Sequence, residues 1–263
     1  MLRGHRYVYD LDDADFHDPK LTVRMERDVA EFVGVIAGSR YIARWCRQFQ
    51  PNTRIVWTCA RPIEVARPDH RDRAPTIVWA QSQPEGYPAE FEFVTGVMEA
   101  LARRRKGVRL RLYGDGAPGE SDHVARLEAA GVTVEWMPFM EYGAFVRSLC
   151  DMSVGLAPLR PQAAFSRGKS FGKILAYLDA GVPVIASDEV DNALLFESGS
   201  GVVSNDPEVW VAEIDRLLDA PEIRNEMSRK ADRIYRQRLS VDVAVDLVEA
   251  FLLDCLDRES PSG

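Results

Sequence analysis

Two groups of residues in this 263-residue chain have the types and spacing for chemistry. The first is acidic. Asp10, Asp12 and Asp13 follow the short apolar run Arg6–Tyr9, and His17 comes soon after. Carboxylates at the carboxyl end of a strand stand where α/β proteins build sites. Such groups can move protons, attack an electrophile or help to hold a metal. The second group is basic. Residues 159–170 hold Arg160, Arg167, Lys169 and Ser170, directly before a segment with helical spacing at Phe171, Ile174, Leu175 and Leu178. A basic loop that opens a helix favours anions, because the first N–H groups and the cations both attract negative charge. A diphosphate fits that description.

The elements that must position these groups are legible as alternation. Val154–Pro158 and Val182–Ser187 are short buried strands, and Gly181 with Pro183 ends the helix between them. Further strands are expected at Thr76–Ala80, Val108–Gly114, Val132–Trp136 and Gly201–Ser204. Helices are expected at Glu90–Arg105, Ser121–Ala130, Glu141–Cys150, Val190–Glu197, 207–218, 221–237 and 241–256. Six strands alternating with helices over 76–204 predict a complete doubly wound, Rossmann-like parallel sheet domain at 76–256. Residues 1–60 supply three strands (Arg6–Asp10, Val33–Ser39, Arg54–Cys59) and two helices (Leu21–Glu31, Arg40–Phe49), a partial α/β segment. Residues 61–75 are proline-rich and charged and read as a linker, or alternatively as a surface loop within one domain. Residues 257–263 read as a flexible tail.

The run KSFGKILAYLDAGVPVIAS from Lys169 to Ser187, preceded by Pro158-Leu159 and Phe165-Ser166-Arg167, resembles the donor-binding domain of GT-B glycosyltransferases. The resemblance is to the retaining family 4, or glycosyl transferases group 1, type. It covers residues 76–250 and extends more weakly but colinearly over 6–60. It implies transfer of a sugar from a nucleotide-sugar donor to an acceptor, with no metal and no cofactor. It also implies a donor diphosphate near Phe165, Ser166, Lys169, Ser170 and Lys173. The family's glycine-rich turn corresponds to Ala80–Gly86, where Ser82 or Gln83 can hydrogen-bond but no Lys or Arg occurs. Gly114-Asp115-Gly116 matches glycines at the edge of the family's nucleotide pocket, although strand–Gly–Asp–Gly is also a generic turn. Pro138-Phe139 stands where a base is faced, or Phe139 is a core aromatic. Some relatives have a similar acidic run, or a histidine, on the acceptor side. Asp12, Asp13 and His17 are therefore the catalytic candidates, set against a solvated acidic loop and a surface histidine. The chain also departs from the family. Two glutamates are usual at the positions of Gly168 and Ala176, and neither is a carboxylate here. Asp179 is either a substitute or a solvated helix residue.

Other functions compete or are excluded. A net charge of −8 argues against non-specific nucleic-acid binding. The basic run Arg103–Lys106 reads as a solvated helix end. Cys46, Cys59, Cys150 and Cys255 lack ligand spacing and read as reduced thiols of a cytoplasmic protein. His5, His17, His70 and His123 are scattered. No leader pattern and no apolar run of about 18 residues is visible. The short first segment lacks the early strands of an acceptor domain, as in a fragment, a misplaced start or a natural half-enzyme. Its sheet edge is expected to pair with another copy or another chain. A non-catalytic nucleotide-sugar-binding or partner subunit is the alternative function. A haloacid-dehalogenase-like phosphatase is a third, with Asp10 as nucleophile, Asp12 as acid/base, and Lys169 or Lys173 with Ser187-Asp188 completing the set. A metal-binding DxD of the other glycosyltransferase fold is a further reading of the acidic run.

Overall fold

Short strands joined by helices form a small parallel sheet within residues 6–60. The computed structural model describes residues 6–116, 118–160, 164–168, 171–189 and 191–257. Strand β1 (Val8–Leu11), helix α1 (Thr22–Glu31), β2 (Gly34–Ala37), α2 (Arg40–Cys46) and β3 (Thr53–Ile55) follow in order. The sheet order is β1-β2-β3, with Val8 opposite Gly34 and Val35 opposite Thr53. Leu11, Phe16, Met25, Val29, Val35, Ile42 and Cys46 fill its core. Ser39 caps α2 by accepting the Ile42 N–H, as its residue type predicts. Strand β3 stops before the predicted Cys59. Its neighbour β2 ends at Ala37, so the ladder closes once Val56 has donated to the Ala37 carbonyl. Ala60 pairs instead with Ser240, just before the last helix.

The second sheet is larger. It is built from β4 (Thr76–Ala80), α3 (Pro88–Arg104), β5 (Arg109–Tyr113), α4 (Asp122–Ala129), β6 (Thr133–Met137), α5 (Tyr142–Leu149) and β7 (Val154–Ala157). Helix α6 (Gly172–Asp179), β8 (Val184–Ala186), α7 (Asn192–Leu195), β9 (Gly201–Val203), α8 (Pro207–Asp219) and α9 (Pro221–Ile234) continue it, and α10 (Val241–Asp257) ends the described chain. All strands are parallel, in the order β6-β5-β4-β7-β8-β9. The order reverses between β4 and β7, and that is where a doubly wound sheet opens a crevice at its carboxyl edge. Ser121, Glu141 and Asp206 cap α4, α5 and α8. Gly181, at φ +67°, ends α6 in the left-handed conformation its position predicts. Among the described residues no helix is long and apolar enough to cross a membrane.

The chain forms two compact units. One contains the described residues of segments 1–61, 161–172 and 236–263, and the other contains 62–160 and 173–235. The linear division at 76–256 differs from this at both ends. Helix α10 belongs to the first unit, where Asn52 donates to the Cys255 thiol and Arg6 to the Cys255 carbonyl. Segment 62–75 is a strap on the second unit, not a free connection. The Ile63 N–H and the Arg67 guanidinium both reach Asp179, and Arg67 also pairs with Asp232. His70 and Arg73 are buried, with Arg73 donating to the Met152 and Gly181 carbonyls. The basic end of α3 is not merely solvated either, because Arg104 and Arg105 pair with Glu208, Asp215 and Asp219 of α8.

Burial, reinforced by the Arg73 and Arg224 cations, pushes the His70 imidazole down to about 4. The unfolded chain binds this proton near the ordinary value of about 6.5, so His70 contributes stability above that pH and loses it as pH falls toward 4. At about 1.4 kcal/mol per unit, the loss is about 3 kcal/mol. Urea unfolding between pH 7 and pH 4 is expected to show this decline, and His70→Gln to flatten it. Parallel pH profiles for the two proteins would remove the assignment.

Candidate functional site

At the carboxyl edge of the second unit's sheet, the loops after β4 and β5 are sewn together. The Gln81 N–H donates to the Tyr113 carbonyl at 3.0 Å, and the Asp115 N–H to the Ser82 carbonyl at 2.8 Å. Gly114 holds φ at +141°, and a Cβ there would stand 2.0 Å from the Gln81 oxygen. Its carbonyl accepts the Trp136 indole N–H at 2.8 Å, and a Cβ on Gly116 would meet the Trp136 ring at 2.6 Å. Both glycines let two loops and an indole approach closely. Ser82 remains exposed beside them. Phe139 is 65% exposed after β6, an aromatic face open to solvent and not a core residue.

The loop after β7 is held as firmly. Buried Glu90, in the first turn of α3, accepts the Arg160 N–H at 2.8 Å, and the Arg160 guanidinium lies 4.7 Å from the Phe93 ring centroid. The Leu159 N–H donates to the Ser187 hydroxyl at 2.9 Å. Beneath the sheet edge, the Tyr177 hydroxyl accepts the Ala80 N–H at 2.9 Å and donates to the Leu156 carbonyl, anchoring α6 to both central strands. Gly155 makes room for the Tyr177 ring. Lys173 lies near the start of α6, its ammonium 5.1 Å from the Tyr87 ring centroid. Sequence reasoning missed Glu90 and Tyr177. A carboxylate opening a helix and a tyrosine in an apolar stripe are ordinary features, and only tertiary contacts distinguish these two.

The family's two carboxylate positions acquire physical content here. Ala176 is fully buried. Asp179 is also fully buried, which raises its pKa, and its oxygens are taken by the Ile63 N–H at 2.9 Å and Arg67 at 3.4 Å. It is neither a solvated helix residue nor a free substitute for the missing glutamate. Gly168, in a 3-10 turn at Ala164–Gly168 of the first unit, abuts Ala14, whose Cβ would lie 2.3 Å from a Cβ at 168. That spacing leaves no room for a glutamate without rearrangement. In the same turn Phe165 packs on the core around Leu11, and Ser166 is buried. Lys169 and Ser170 lie outside the described residues.

Within the first unit, the acidic candidates have separate attachments. The Asp12 carboxylate accepts the Thr58 hydroxyl at 2.9 Å and covers Gly38, where a Cβ would be 2.2 Å from the same oxygen. Desolvation, with Asp12 adding repulsion, raises the Asp10 pKa. Asp13 is half-buried beside the turn that follows. His17 Nε2 bonds the Tyr41 hydroxyl at 2.8 Å, and its ring lies on Phe16. Unlike His17, His70 is buried in the strap of the second unit. Among the described residues no three His, Cys, Asp or Glu side chains are grouped to hold a metal ion. The four cysteines are free thiols.

Residues 75–220, more than half of the chain, match the family described as glycosyl transferases group 1. Comparison with curated protein sequences finds no significant match. Among solved structures, the chain is similar to S. aureus TarM in complex with UDP (14% identity, TM-score 0.71), covering 96% of this chain and 51% of TarM. It is similar to Anabaena HepE in complex with UDP and glucose (17%, 0.72), covering 95% of this chain and 72% of HepE. It is also similar to sucrose-phosphate synthase of Thermosynechococcus elongatus (14%, 0.70), covering 96% and 69%. The chain thus spans about half the length of TarM. At these identities the structures speak for the GT-B fold alone. The family match, the parallel sheet with its reversal between β4 and β7, and the expected α/β class agree: this chain belongs to the glycosyl transferases group 1 family.

Proposed function

We propose that this protein transfers a sugar from a nucleotide-sugar donor to an acceptor, by a metal-independent route. The observation that carries this reading is the carboxyl edge at the reversal point. There Gly114 and Gly116 draw the loops after β4 and β5 together and α6 starts next to Lys173, while Phe139 offers an exposed ring at the same sheet edge after β6. A leaving diphosphate is stabilised by helix N–H groups and a nearby cation, a role assigned here to the start of α6, Lys169 and Lys173. UDP heads the set of nucleoside diphosphates to test because the HepE and TarM structures hold it. Isothermal titration with nucleoside diphosphates and their sugars is expected to show binding to at least one. Lys169→Ala is expected to weaken that binding about tenfold or more, the size of a lost charge-assisted contact. No binding to any of them would sink the proposal, and unchanged affinity in the variant would remove Lys169 from the site.

A second reading has its own observation. Ala176 is buried, Gly168 has no space for a side chain, and Asp179 is already engaged, so the carboxylates usual in the family have no replacement at these positions. A nucleotide-sugar-binding subunit without turnover fits those facts, and binding without donor hydrolysis or transfer would favour it. Family membership removes the ground for the phosphatase reading. Cytoplasmic residence belongs to the same proposal, as does another copy or another chain along edge strand β1. Sedimentation velocity that finds only monomer at micromolar concentration, alone and with candidate partner chains, would dispose of the pairing.

A further inference from the structure

Helix α10 turns only part of its apolar surface toward the first unit. Ala244, Phe251 and Cys255 are buried there. A neighbouring stripe of Val241, Val245, Val248, Leu252 and Leu256 runs along the helix beside them. Val245 is 53% exposed, Leu252 42% and Leu256 61%. Together with Cys59, the first four of these line an open apolar groove. Steps of four, three, four and four residues form a heptad-like seam, the pattern that receives another helix. The outer flank of the seam is acidic: Asp242, Asp246 and Glu249 are all exposed, and the helix has no Lys or Arg. A second copy of the same helix would set these carboxylates against one another. An anionic lipid surface would be repelled as well.

We propose that this face receives a basic amphipathic helix of a partner polypeptide, with apolar residues at heptad spacing in the groove and Lys or Arg against Asp242 and Glu249. The probe is a fluorescein-labelled 21-residue peptide with leucine at both apolar heptad positions and lysine at both flanking ones. Its counterpart carries glutamate in place of lysine. The full chain is expected to bind the lysine peptide at least tenfold more tightly than the glutamate peptide. The double variant Val245→Asp/Leu252→Asp adds negative charge but removes the apolar seam, and is expected to lose at least tenfold in affinity. If attraction of a cationic peptide to an acidic protein were the whole effect, this variant would bind as well or better, and the proposal would fall. Asp242→Lys/Glu249→Lys changes only exposed side chains and is expected to invert the preference between the two peptides. An unchanged preference would overturn the proposal even if the aspartate variant failed to fold. Two further outcomes also overturn it. Dimerisation of the parent chain that the seam variants abolish assigns the face to a second copy. Binding to phosphatidylcholine vesicles that they abolish assigns it to lipid.

Discussion

Asp179→Ala is expected to lower stability by about 3 kcal/mol, the lower end of what removing one partner of a buried ion pair costs. For a chain of this size that is a fall of about 6–12 °C in the unfolding midpoint. The lower end applies because Arg67 is one-quarter exposed and keeps Asp232. The Ile63 N–H then loses its acceptor. Asp179→Asn retains an acceptor for that N–H and is expected to lose less. Thermal unfolding of the three proteins ranks them, and a loss under about 1 kcal/mol for the alanine variant would show that the strap is held some other way. The same variant separates structure from ligand binding. With its oxygens committed to Ile63 and Arg67, Asp179→Ala is expected to leave nucleotide affinity unchanged at temperatures where it is folded. A large loss of affinity with little loss of stability would restore the carboxylate as a substitute for the missing glutamate.

Gly114→Val is expected to be more damaging still. A β-branched residue at φ +141° costs about 1–3 kcal/mol in backbone strain. Forcing a side chain against the Gln81 carbonyl, the Pro84 ring and the Ser82 carbonyl adds about 1–3 kcal/mol of overpacking. The loops after β4 and β5 must then separate, breaking the Asp115–Ser82 and Trp136–Gly114 hydrogen bonds. Binding of the nucleoside diphosphate is expected to disappear together with stability. Gly119→Val is the control, since a Cβ there meets nothing within 4 Å. Wild-type affinity and midpoint in Gly114→Val would mean that these loops are not the nucleotide edge.

How much of this was legible in advance depended on whether the signal was local. The alternation of strands and helices from Thr76 to Asp219 could be read because each element carries its own periodicity and punctuation, such as Gly181 as a helix end. The resemblance in Lys169–Ser187 pointed to the family that residues 75–220 then matched. That stretch and the residue before it foretold the two departures, because an alanine or a glycine in place of a glutamate is visible without coordinates.

Tertiary structure decided the rest. The sequence by itself determined the second sheet, its parallel strands and the absence of glutamates at 168 and 176. Only the fold decided that Gly168 abuts Ala14, that Asp179 is sealed beneath Ile63 and Arg67, and that α10 returns to the first unit. These are pairings between residues distant in the chain, and no local pattern of polarity encodes them. Residues 61–75 show the reason most directly. Prolines and charges there read as a solvated linker, because composition reports what side chains are and not which partners they find. Arg67, His70 and Arg73 find theirs on Asp179, Asp232, Gly181 and Met152, and a segment that looked like a connection is a strap tied to the second unit by these side chains.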